Sequence, residues 1–203
     1  MTLQVKISKK LVTYKTAFSF LKKRVELIKN SGGNELVWIL EHPLTFTSGV
    51  RSMENEILDK KIKIIKTNRG GKTTLHNPGQ KIVYFALNLN KRKKDIKNLV
   101  KHIELTIIDF LKLYNIKGCA DKKNIGIWVN NKKIAAIGIR VSGWVAYHGF
   151  SVNISNNLGY YKKIVPCGLS NEKITSVITE SKIQILNKDN KLKDIFLRNL
   201  KNV

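Results

Sequence analysis

The feature that most restricts how this chain can fold is a glycine-rich polar run, Arg69-Gly-Gly-Lys-Thr-Thr-Leu-His-Asn-Pro-Gly-Gln80, set between two strand-like stretches. Residues 61–66 upstream alternate lysine with isoleucine, and residues 82–89 downstream form a second apolar run, so both read as strands. Paired glycines let a backbone approach a ligand closely and take conformations closed to other residues. Arg69, Lys72, Thr73, Thr74 and His76 add charge and hydrogen-bonding groups. The segment is therefore expected to cradle a ligand between two strands. The plainer alternative is a long polar hairpin loop, because glycine, asparagine and proline mark turns in any case.

The surrounding pattern is that of an α+β chain. Leu3–Ile7 alternates weakly as a first strand. Residues 13–30 carry Phe18, Leu21, Val25 and Ile28 at helical spacing, and Gly32-Gly33 stops the helix. Glu35–Leu40 is a continuous apolar strand, broken by His42-Pro43. Residues 95–114 give the clearest amphipathic helix, with Asp95 as its N-cap. Residues 125–129 and 133–141 read as strands joined by a tight turn at Asn130-Asn131-Lys132, and Ser142-Gly143 turns the chain into a third strand, 144–154. A last amphipathic stretch presents Leu192, Ile195, Phe196 and Leu200 on one face. A largely antiparallel sheet with two or three packed helices follows, forming a single domain over residues 1–203.

Composition narrows the function classes. The 203 residues suffice for a core without staples. No apolar stretch approaches the roughly 18 residues of a membrane span, and residues 1–10 lack signal- or transit-peptide character, so a cytoplasmic location is expected. Two cysteines, Cys119 and Cys167, have no metal or redox spacing, and the four histidines, His42, His76, His102 and His148, form no zinc motif. The formal charge of +24 points to an acidic partner. Enrichment in Lys, Asn and Ile is a second cause of that charge, since AT-rich coding favours all three. Nucleic acid is a poor candidate for the partner, because the lysines are scattered and aromatics make up just 8%.

Cys167 sits between Pro166 and Gly168, a loop setting open to two readings, a nucleophile or a buried structural thiol. Cys119 is read as packed, as free cysteines commonly are. A nucleophilic cysteine needs a nearby cation to ionise, and Lys132 and Lys133 both stand at the hairpin turn. His148, in the third strand, is read as a half-buried side chain, and Trp128 and Trp144 as core or sheet-face residues.

Five elements, in order, resemble the octanoyl (lipoyl) transferase family. Arg69–Gln80 resembles its R-G-G-x-x-T-x-H-G-P-G-Q signature, with Asn77 in place of glycine. Asn131-Lys-Lys-Ile-Ala-Ala-Ile-Gly-Ile-Arg140 resembles the segment that carries the family's catalytic lysine. Tyr147-His-Gly-Phe-Ser-Val-Asn153 resembles its H-G-[LF]-[AS]-x-N element, and Ile164-Val-Pro-Cys-Gly-Leu169 the segment bearing its nucleophile. Glu41-His-Pro-Leu-Thr-Phe-Thr47 resembles its upstream E-H-P element. Together these elements lie within residues 35–180.

The resemblance implies the fold of biotin and lipoate ligases. It also implies transfer of an octanoyl group from acyl carrier protein to a lysine of a lipoyl domain, without metal or cofactor. Its expected acceptors are lipoyl domains of 2-oxoacid dehydrogenase E2 subunits and the glycine cleavage H protein, and its expected state is a monomer. On this resemblance Cys167 attacks the thioester and Lys133 keeps it ionised. Arg69, Gly70, Gly71, Lys72, Thr73, Thr74, Leu75 and His76 would line the acyl and carrier pocket with Ala136, Ile137, Gly138, Gly149, Phe150 and Ser151. His148 would support them, and backbone N–H groups among these residues would steady the oxyanion. If position 77 needs a positive φ, asparagine is the best non-glycine residue for it, although its side chain would then narrow the acyl path. Two rivals are an ATP-dependent ligase on the same fold, which needs no cysteine nucleophile, and a non-catalytic binder of carrier domains.

Overall fold

A computed structural model describes residues 2–121, 124–166, 173–184 and 186–203. The first half of the chain runs β1 (Leu3–Ile7), α1 (Tyr14–Ser31), β2 (Glu35–Leu40), β3 (Thr45–Ser48), β4 (Ile64–Lys66), β5 (Thr74–His76) and β6 (Gln80–Asn88). The second half runs α2 (Ile96–Lys112), β7 (Cys119–Ala120), β8 (Ile127–Val129), β9 (Lys132–Ser142), β10 (Val145–Asn153), α3 (Val177–Glu180) and α4 (Lys188–Leu200). Among the described residues, seven strands form one sheet in the order β1-β2-β6-β10-β9-β8-β7, and β4-β3-β5 form a second, smaller one. In the large sheet only the β1–β2 pair is parallel. No helix among the described residues is long and apolar enough to cross a membrane.

Local chemistry sets the helices. Thr13 caps α1 by accepting the Thr16 N–H at 3.2 Å, and Gly32 ends it at φ 63°, returning its N–H to Leu27 C=O. Between these caps Ala17, Leu21, Val25 and Ile28 are buried, one per turn. Asp95 caps α2 through Asn98 N–H at 2.9 Å.

Both faces of the large sheet are covered, which is why β2 and β6 are buried at every position. Leu36, Trp38, Leu40, Ile82, Tyr84 and Ala86 pack under α1. The alternate residues Val37, Ile39, Val83, Phe85 and Leu87 join a core shared with α2 and α4. Each such side chain contributes roughly 1.5–3 kcal/mol by leaving water. At the sheet's centre a Cβ on Gly149 would stand 1.8 Å from Val83 C=O, so the β6–β10 contact admits glycine alone.

Four sequence expectations are corrected. Within 61–66, only Ile64–Lys66 is strand, because these residues pair with β3 and not with the strand after the glycines. The glycine-rich run is not one loop: it contains β5, whose partner is β3, whereas β6 belongs to the large sheet. Trp144 is not a core or sheet-face residue. It occupies the second central position of the Gly143-Trp144 turn at φ 58°, is 39% exposed, and lies under the Lys94 ammonium at 5.5 Å. Cys119 is exposed rather than packed, since β7 is the sheet's outer strand.

The end of β6 is fixed by a charged clamp. The Glu35 carboxylate accepts Asn88 N–H at 2.8 Å and the Arg92 guanidinium at 2.7 and 3.2 Å, while Arg92 also donates to Leu200 C=O at 2.9 Å. Glu35→Ala would strand a mostly buried guanidinium and a backbone N–H. A loss of about 3 kcal/mol in unfolding free energy is expected, read by urea titration.

Candidate active site

A cleft open on one side lies between the small sheet and the β6–β10–β9 region. One wall is the glycine-rich segment: Arg69, Gly70, Gly71, Lys72, Thr74 and His76. The opposite wall is β9 and β10: Ala136, Ile137 and Gly138 face His148, Gly149, Phe150 and Ser151. Ile82 and Tyr84 of β6 complete it. Ile137, Phe150, Ile82 and Tyr84 make this space largely apolar. Residues 69 and 72 apart in sequence meet here because Gly70 N–H donates to Ile139 C=O at 3.2 Å and Arg140 donates to Asn68 C=O at 3.2 Å.

Of the residues expected to line the site, Thr73 and Leu75 are not cleft walls. Side chains alternate along the segment leading into β5. Leu75 accordingly joins Phe46, Tyr161 and Ile164 behind the wall, and Thr73 is fully buried. Sequence reasoning gave no role to Ile82, Tyr84, His42 or Asn68. The period-two spacing of Ile82 and Tyr84 on β6 was the available signal for that pair.

Lys133 opens onto a second, smaller cleft walled also by Asn153, Tyr161, Pro166 and Ile174. Thr74, Ala136 and Ser151 are walls of both clefts, so the two are contiguous. The Lys133 side chain is mostly buried. Its ammonium donates to Ile125 C=O at 2.8 Å and stands 5.6 Å from the Trp128 ring centre. The backbone of Lys133 accepts Thr175 N–H at 3.0 Å and bridges Ile174. Cys167 lies outside the described residues. Pro166, its neighbour in sequence, and Ile174 beyond it both reach the Lys133 cleft.

Three buried histidines back the larger cleft. His42 donates from Nδ1 to Val12 C=O, which leaves Nε2 to accept Tyr84 O–H at 2.9 Å. Gln80 uses its amide nitrogen as a donor to Asn153, so its oxygen accepts from His76 Nδ1 at 2.7 Å. Asn68 likewise donates to Tyr147 Oη at 2.8 Å and accepts from His148 Nε2 at 2.7 Å. Each ring thus keeps one proton and one lone pair. His148 is held at φ 68° within a strand, a strained conformation of the kind found at functional positions, and its ring stacks on Phe18 and Tyr147. It is 2% exposed, buried rather than half-buried.

Burial lowers the pKa of His42 to about 4. For His76, burial and then the neighbouring His42 bring it to about 3. Burial, then Arg69 and Arg140, bring His148 to about 3. Arg69 is itself buried and donates to Thr47 C=O and Oγ1 at 3.0 and 2.9 Å and to Gly70 C=O at 3.1 Å.

Asn77 neither takes a positive φ nor intrudes on the cleft. Its buried amide donates to Asn157 C=O at 2.9 Å and accepts from Asn156 at 3.1 Å. Asn77→Gly should therefore lower stability by about 1–2 kcal/mol, seen as a reduced urea midpoint.

The histidines set a pH dependence of stability. With folded pKa values below the ordinary 6.5, the unfolded chain binds the extra protons first. Their contribution is complete above pH 6.5 and is lost as pH falls toward 4 and then 3, by up to about 1.4 kcal/mol per pH unit for each ring. Calorimetric Tm should fall over this range, and His148→Asn should make the fall shallower.

Comparison with known proteins places these features. The family model described as the lipoyl protein ligase A/B catalytic domain matches residues 13–197. An octanoyltransferase of Wolbachia sp. subsp. Brugia malayi is 44% identical over 176 residues, covering 84% of this chain and 86% of that protein. An octanoyltransferase of Bartonella bacilliformis is 40% identical, covering 94% and 86% respectively. Among solved structures, a T. acidophilum lipoate protein ligase with bound lipoic acid superposes with a TM-score of 0.76 at 14% identity, over 99% of this chain and 87% of that one.

Proposed function

The chain belongs to the lipoyl protein ligase A/B catalytic-domain family, and from that premise we propose a two-step octanoyl transfer through Cys167, assisted by Lys133. The protein is an acyltransferase that moves octanoyl groups in lipoate biosynthesis, acting in general on acyl-carrier and lipoyl-domain substrates. Identity of 40–44% to octanoyltransferases favours transfer over the ATP-dependent ligase reading and over a binder without chemistry.

The observation that carries the mechanism is that Lys133 and Pro166 share a cleft contiguous with an apolar one. Cys167 is the next residue in the chain after Pro166. In the first step the Cys167 thiolate attacks the thioester carbonyl of the octanoyl carrier protein. The carbon–sulfur bond to the pantetheine arm breaks, and the leaving thiolate takes a proton from the Lys133 ammonium. The octanoyl chain lies along Ile82, Ile137 and Phe150. In the second step the lysine amine of a lipoyl domain attacks the acyl-cysteine, the amide forms, and Cys167 departs as a thiolate. Lys133, neutral after the first step, takes the proton that the amine sheds.

Lipoyl domains of 2-oxoacid dehydrogenase E2 subunits and the glycine cleavage H protein are the acceptors we infer, with a monomeric enzyme. The charge supports acidic partners. Glu35, Glu41, Glu56, Asp59 and Asp189 are tied to Arg or Lys within the chain, so most exposed lysines face solvent uncompensated and speed encounter at low salt.

Intact-mass analysis after mixing with octanoyl carrier protein, without ATP, should reveal one octanoyl group on the enzyme, absent in Cys167→Ala. Lys133→Ala should slow its formation and move the alkylation curve of the thiol to higher pH. An adduct that survives in Cys167→Ala, or strict dependence on ATP, would remove the mechanism.

A further inference from the structure

We propose that Glu56 is a positioning residue for this transfer, acting by accepting the Thr73 N–H so that the glycine-rich wall stays in register with the segment leading into Cys167. The inference rests on the thioester reading above.

Glu56 ends a short 3-10 turn, and although a carboxylate, it is 2% exposed. Burying a carboxylate costs several kcal/mol unless it is paired and hydrogen-bonded. Its Oε2 accepts Thr73 N–H at 2.9 Å, and its Oε1 stands 3.4 Å from the Lys72 ammonium. Both contacts fall on the wall segment, between Gly71 and Thr74 of the cleft. The same residue's backbone C=O accepts Val165 N–H at 2.7 Å, two residues before Cys167.

The following residues extend that grip. Ile57 bridges Ile164 in antiparallel fashion, Leu58 and Asp59 N–H both donate to Lys163 C=O at 3.0 and 3.1 Å, and the Asp59 carboxylate takes the Lys163 ammonium at 2.8 Å. Glu56 therefore bonds to two parts of the site at once, side chain to one and main chain to the other. Thr73 contributes no side chain to the cleft wall, and its main chain is what Glu56 holds. A carboxylate suits the task better than a neutral group only in its second contact, with Lys72. The wall's register needs an acceptor of the right reach.

This separates reach from charge. Glu56→Gln keeps the acceptor at the same distance and discards the charge; Glu56→Asp keeps the charge and falls one methylene short. The rate at which octanoyl carrier protein loads the enzyme is followed by quenched-flow mass spectrometry, per folded molecule as fixed by circular dichroism. Glu56→Ala and Glu56→Asp should load between about 10- and 100-fold more slowly with KM little changed, while Glu56→Gln stays within a few-fold of wild type. If the alanine variant does not fold, the Asp–Gln pair decides alone. Loading at the wild-type rate in Glu56→Asp, or a Glu56→Gln variant as slow as Glu56→Asp, overturns the assignment. Absence of any adduct on the wild-type enzyme would instead sink the thioester mechanism, a result distinct from these.

Discussion

The site exists because a backbone can lie against a backbone where the small sheet meets the large one. Gly70 donates its N–H to Ile139 C=O, and a Cβ at position 70 would come within 2.8 Å of that oxygen. Any side chain would push the glycine-rich segment away from β9 and open the cleft into a shallow surface. Behind this contact Arg69 fills the gap with a guanidinium that finds three oxygens on Thr47 and Gly70. The cleft's depth is thus a consequence of missing side chains at one point and of a long one anchored on three oxygens beside it.

Around that contact the walls are held by a chain of buried polar groups. His76 passes a hydrogen bond to Gln80, Gln80 to Asn153, and Asn153 both accepts from Asn156 and donates to Thr175 C=O, whose own N–H returns to Lys133. Asn156 in turn reaches Asn77. Such a network specifies one arrangement because each member is costly to leave unpaired. It couples the wall bearing His76 to the strand bearing Lys133. On the outer side, Lys81 lies between Glu41 and Asp189 at 2.7 Å each, and Glu41 takes Gly79 N–H, so α4 is tied to the turn that follows His76.

Much of the fold was legible in the sequence, and the failures share a cause. The helices α1 and α2 announce themselves through caps at Thr13 and Asp95 and a burial period near 3.6, both local properties. The Asn130-Asn131 turn is equally local, with both residues at positive φ. The small sheet was not legible: its strands have three or four residues, too few for alternation to stand out, and β4 and β5 acquire partners only by meeting β3. Reading the glycine-rich run as loop made every residue of it seem to face a ligand, so Thr73 and Leu75 were included although strand alternation turns them away. Trp144 misled because apolar bulk is an ambiguous signal, equally at home in a core or on a turn beneath a lysine. Glu56 had no signal at all, since its meaning lies in contacts with residues 73 and 165, far along the chain.

On the proposed mechanism, the electrostatics of the two clefts would favour a thiolate over a thiol. Their described walls carry Arg69, Lys72 and Lys133 and no carboxylate, while His76 and His148 remain neutral at physiological pH because burial and nearby guanidinium groups oppose protonation. Neutral histidines matter in this setting. Two more buried cations would raise the folding cost and bind anions indiscriminately, whereas neutral rings supply shape, stacking and hydrogen bonds. The positive potential is left to groups held at fixed points: Arg69 by oxygens of Thr47 and Gly70, Lys133 by Ile125 C=O beneath the Trp128 ring, Lys72 by Glu56. A sulfur brought into such surroundings ionises more readily than in water, because an anion there gains cationic neighbours without facing a competing negative charge. Of these cations, Lys72 stands 3.4 Å from the Glu56 carboxylate, which offsets part of its field.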